Sequence, residues 1–125
     1  MSKMQTILMI GCIMMFLAVA LGAFGAHALK KKLNADMMKV YETGVQYHIA
    51  HGLGMLLVGT LGHNLTHSTL AVTAGWLLFV GIILFSGSLY VLSFTGVRKL
   101  GAITPLGGLA FIAGWIVLLV AVMQG

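Results

Sequence analysis

His48 and His51 stand one helical turn apart in a stretch with no charged residue. At 100° per residue, Tyr41, Gly44, His48, His51, Gly52, Met55, Gly59 and Gly62 project within about 100° of one another on a helix. A pair of imidazoles on a glycine-lined face supports two kinds of chemistry. One is ligation of a metal or haem, or relay of a proton. The other is hydrogen bonding between helices, to a backbone carbonyl or to Ser86, Ser88 or Tyr90 on a neighbouring span. Neutral imidazole loses less on burial than a charged group, so the hydrogen-bonding reading takes precedence. His27 lies about 5 Å from Lys30 along a helix axis. With His48 it is the sharpest form of the ligand reading, a haem bridged between two spans. The possible polar or ligand cluster is therefore His27, Tyr41, His48 and His51. Against the haem stand the single pair, the lack of a c-type attachment motif, and the direction of His27, nearly opposite to the small-residue side of its helix.

Other reactive residues say less. His63 and His67 have the spacing of two ligands on one helical face. A zinc site needs three or four ligands and no cysteine or carboxylate lies near them, so they read as solvated turn residues. Cys12 is the only cysteine and lies in an apolar run, so no internal disulfide exists. Asn64-Leu65-Thr66 has the glycosylation form, a triplet that arises readily by chance. The nine methionines are scattered. There is no phosphate loop, nucleophile–base pair or carboxylate pair. No catalytic residue, metal or cofactor is expected, and the chain does not read as an enzyme.

The elements that must hold these residues follow from the charges. Only nine residues are charged: Lys3, then Lys30, Lys31, Lys32, Asp36, Lys39 and Glu42, then Arg98 and Lys99. The runs between them are 26, 55 and 26 residues long. A bilayer core takes roughly 20 helical residues. The outer runs fit one crossing each. The middle run fits two, divided at the polar turn Gly62-His63-Asn64-Leu65-Thr66-His67-Ser68. The spacing predicts an all-α bundle of four transmembrane helices in one domain, over about 5–29, 45–61, 69–93 and 102–123. Continuous rather than alternating apolar runs argue against a membrane β-barrel. The net charge of +5 serves orientation and not nucleic-acid binding. Basic connections favour the cytoplasmic side, so both termini are expected outside an inner (plasma) membrane. Ala26-His27-Ala28 has the form of a signal cleavage site, but the apolar stretch before it exceeds a signal h-region, and it reads as an uncleaved span.

Asn34 is a suitable N-cap, with Asp36 in the first turn where a negative charge suits the helix dipole. The stretch after it is amphipathic and reads as interfacial, running on into the second span. Tyr41 and Tyr47 are expected at the headgroup boundary. Small residues recur along the spans, and Gly22, Gly25, Gly44, Gly52 and Gly114 are the candidate helix-packing positions. Thr104 and Pro105 mark a kinked helix entry, because proline removes a backbone donor.

Three ordered motifs carry a family resemblance. Gly22-Ala23-Phe24-Gly25-Ala26-His27-Ala28-Leu29 is the first. Tyr41-Glu42-Thr43-Gly44-Val45-Gln46-Tyr47-His48-Ile49-Ala50-His51 is the second. Gly101-Ala102-Ile103-Thr104-Pro105-Leu106-Gly107-Gly108, followed by Gly114-Trp115, is the third. Together they resemble domain of unknown function 423, the YwdK- and YgdD-type small bacterial membrane proteins with eukaryotic mitochondrial relatives. The resemblance implies a four-span membrane protein and supplies no catalytic assignment. The function expected is packing and interaction within the membrane: contact with lipid, self-association into a homo-oligomer, and contact with other membrane proteins. The alternative is a cofactor-, metal- or proton-handling protein built on His27, His48 and His51.

Overall fold

A computed structural model describes residues 1–125. The chain is all helical. Its four long helices are α1 (Lys3–Leu29), α2 (Ala35–Gly62), α3 (Ser68–Thr95) and α4 (Arg98–Met123).

Local chemistry sets their ends. Ser2 opens α1 with a capping box: its Oγ accepts the Gln5 N–H at 3.0 Å, and Gln5 Oε1 accepts the Ser2 N–H at 2.9 Å. Asn34 caps α2 by accepting the Met37 N–H at 2.8 Å, an arrangement worth about 1 kcal/mol. The amphipathic stretch carrying Asp36, Lys39 and Glu42 is the first part of α2 itself, with no break before the apolar part. α3 ends at Gly96, whose φ of 71° lies in the left-handed region that glycine adopts without steric cost. α4 opens with a 3-10 turn, Arg98–Ala102, and becomes α-helical at Thr104. Pro105 falls in the first turn of that α-helical part, where its missing N–H removes no helix bond. It thus marks the change of helix type at the entry of the span.

Two helices carry a widened π turn, Ala20–Gly25 in α1 and Ile82–Ser86 in α3. Such a turn lets a carbonyl accept from five residues on and leaves it open to a second donor.

By length and composition α1, α3 and α4 are apolar enough to cross a membrane. α2 is the most enclosed helix, with eleven of its 28 residues buried, five of them glycine and two histidine. It lies against α1 and α3, and α3 lies against α4. A helix so covered need not match lipid all round, which is why its composition is less apolar than its neighbours'. The apolar core joins Ile7 and Met14 of α1, Met55 and Val58 of α2, Leu78 and Ile82 of α3, and Phe111 and Leu118 of α4. Phe16, Phe24, Ile112 and Leu119 point outward. In lipid such a core is held by close packing rather than by expulsion of water.

The closest backbone approach is between α4 and the π turn of α3. A Cβ placed on Gly107 would lie 2.7 Å from the Phe85 Cα. No other residue type fits there without moving a helix.

Candidate functional site

The buried face of α2 is built from Tyr41, Gly44, His48 and His51, at successive three- and four-residue intervals. Each position meets a different neighbour. Tyr41 is fully buried, and its hydroxyl donates to the Leu21 carbonyl in the π turn of α1. That carbonyl already accepts the Ala26 N–H, so the widened turn supplies the second lone pair. The Tyr41 ring lies 5.4 Å from the Tyr90 ring and 6.1 Å from Phe94. The Tyr41 phenol thus finds its hydrogen-bond partner inside the protein. Tyr47 is 42% exposed and packs its ring on Phe85 at 4.4 Å.

The Gly44 carbonyl accepts a hydrogen bond from Ser86 Oγ at 2.7 Å. Ser86 belongs to the π turn of α3, so both widened turns bond to this one face of α2.

His51 is 7% exposed and uses both ring nitrogens. Nδ1 lies 2.8 Å from the Tyr47 carbonyl, one turn earlier on the same helix. Trp115 Nε1 on α4 donates to Nε2 across 3.0 Å. An indole N–H can only donate. Nε2 must therefore accept, and the proton sits on Nδ1, where it is donated to the carbonyl. The ring also stacks on Phe111, with centroids 3.6 Å apart and planes 13° from parallel.

His48 is 3% exposed, and its Nδ1 lies 2.9 Å from the Tyr90 hydroxyl. That hydroxyl has no other partner, so assigning it as the donor leaves His48 Nδ1 as acceptor and the proton on Nε2. The two histidines thus hold opposite tautomers, an assignment made from the hydrogen-bond network. His48 Nε2 is buried without a hydrogen bond of good geometry. The Met14 backbone of α1 lies on that side.

The structure brings Tyr41, His48 and His51 together and leaves His27 apart. His27 is exposed on α1, with no hydrogen bond or ring contact to the other three. No group of three or more His, Cys, Asp or Glu side chains converges anywhere in the chain. His63 is exposed at the end of α2, as is His67 just before α3. Thr104 Oγ1 lies 2.6 Å from Ser88 Oγ and so ties the start of α4 to α3. Of the five glycines singled out, Gly22 faces Val45 and Gly25 faces the Tyr41 hydroxyl. Gly44 lies against the Tyr90 ring, Gly52 against Met15, and Gly114 against Leu78.

Sequence reasoning missed Trp115 as a partner of the stripe. The signal was available: a tryptophan within a span must place its N–H somewhere, and acceptors there are few. Phe111, one turn earlier on α4, supplies the stacking face for the same ring.

Four helices bound together across an internal polar stripe, with apolar outer faces, define a small helical membrane protein. The chain belongs to the family described as protein of unknown function (DUF423), whose model matches residues 21–108. It is 51% identical over 121 residues to the UPF0382 membrane protein YwdK of Bacillus subtilis, covering 97% of this chain and 98% of that one. It is 46% identical to a UPF0382 membrane protein of Staphylococcus haemolyticus and 47% identical to one of Staphylococcus epidermidis, with the same coverage. No solved structure matches the chain.

Proposed function

We propose that this protein is a four-span packing and interaction protein of the inner (plasma) membrane and not an enzyme, with both termini outside. The observation that carries this reading is the use of both His51 nitrogens in hydrogen bonds within the chain. A histidine so engaged joins helices and has no lone pair left for a ligand. What remains for other molecules is the outer surface, which is apolar along α1 and α4. Lipid is one partner of that surface. A second copy of the chain or another membrane protein is the other.

α2 counts as the fourth span because residues 43–62 carry no charge and give about 30 Å of helix, the thickness of a bilayer core. The six basic residues of the two connections then lie inside and only Lys3 lies outside. Self-association draws on the outer faces of the helices, since the glycines of the stripe pack within the chain. Mass measurement in lipid nanodiscs tests it: a discrete closed oligomer is expected, and monomer alone across a wide concentration range refutes it.

The second reading, a proton- or ligand-handling site, has one observation in its favour, the poorly bonded Nε2 of His48. It needs a chromophore, metal or proton-linked signal that depends on His48 while the fold persists.

A further inference from the structure

The start of α1, the end of α2 and the start of α3 enclose a cleft of about 530 Å³ at one end of the bundle. Lys3, His63, Ser68 and Thr69 are exposed at its mouth, while Met4 is buried and Val72 partly buried on its floor. Lys3 is the only charged side chain at this end. The chain's two carboxylates, Asp36 and Glu42, sit at the other end of α2, and Glu42 is about 30 Å of helix away from Gly62. The ammonium therefore pairs with neither side-chain carboxylate, and the terminal Gly125 at this end is engaged by Thr66, which donates to its oxygen.

We propose that this cleft binds the phosphate group of a membrane phospholipid. An ammonium, an imidazole and two hydroxyls form a donor set suited to phosphate oxygens. The apolar floor suits the glycerol and first methylenes attached to such a phosphate. A soluble phosphate ion would use the mouth and leave the floor uncovered. The cleft opens at the end of the helices, where headgroups lie, and this holds whichever side of the membrane that end faces. The site uses none of Tyr41, His48 and His51, so it stands or falls apart from that reading.

The test uses the full chain in dodecyl maltoside, a detergent without phosphate. Short-chain phosphatidylglycerol, inorganic phosphate and phosphate-free monoolein are added separately, with binding read by native mass spectrometry and thermal midpoint. Phosphatidylglycerol is expected to bind one-to-one and raise the midpoint, with monoolein inactive. Lys3→Gln should weaken that binding about tenfold, as loss of a charge-assisted hydrogen bond does. Lys31→Gln, in the lysine cluster at the other end, should leave it unchanged. A Lys3-dependent shift with inorganic phosphate as large as with the lipid supports the phosphate site and assigns its source to solution. Absence of saturable binding, equal binding in Lys3→Gln, loss in Lys31→Gln instead, or an equal effect of monoolein overturns the proposal.

Discussion

Trp115 donates its indole N–H to His51 Nε2, and this is the only hydrogen bond that joins α2 to α4. The two helices otherwise meet through large side chains, with Phe111 stacked on the same imidazole. Trp115→Phe keeps most of the ring but leaves the His51 acceptor buried and unpaired. A loss of about 1–2 kcal/mol is expected in unfolding from detergent micelles. The double variant with His51→Phe should lose less than the sum of the singles, with a coupling of about 0.6–1.7 kcal/mol. Strictly additive losses would show that the contact contributes nothing.

Gly25 faces the Tyr41 hydroxyl so closely that an added Cβ would collide with it. Gly25→Ala should cost about 1–3 kcal/mol through overpacking. Tyr41→Phe removes the hydroxyl and its bond to Leu21, at about 1 kcal/mol. Combining the two should restore part of the stability lost by Gly25→Ala, since the colliding oxygen is gone. Thermal unfolding of the four proteins measures this, and a double variant worse than the sum of the singles would contradict the geometry.

Gly107 and Gly108 are neighbours in sequence with different surroundings. A Cβ on Gly107 meets the Phe85 backbone, whereas one on Gly108 finds its nearest atom at 4.0 Å. Gly107→Ala is expected to destabilise by at least about 1–3 kcal/mol, with Gly108→Ala within about 0.5 kcal/mol of wild type. Equal effects would mean that the α3–α4 packing differs from that described.

The orientation proposal predicts that a reporter fused after Gly125 is active only outside the cytoplasm. Activity confined to the cytoplasm would reverse the topology and place Lys30, Lys31, Lys32 and Lys39 outside.

The helical architecture was legible because charge is confined to two connections, Lys30–Glu42 and Arg98–Lys99, and to Lys3. The face of α2 was legible too, because Tyr41, Gly44, His48 and His51 keep helical spacing. Their partners were not. Periodicity gives a face but not the helix that covers it, so Trp115 and Phe111 were invisible as neighbours of His51. The burial of Tyr41 depends on a widened turn in α1, and Ala20–Gly25 carries no proline or polar residue to announce one. His27 shares a motif with glycines but not their direction, and since Gly25 already meets Tyr41, His27 also lies about 10 Å or more along the bundle from His48.

The central claim is that the histidine stripe binds helices together and holds no ligand. The most direct measurement is the visible absorption spectrum and metal content of the purified protein, with His48→Ala and His51→Ala beside it. The account predicts a colourless, metal-free protein whose histidine variants melt at lower temperature. A stoichiometric chromophore or metal that disappears in His48→Ala while the fold persists would contradict it.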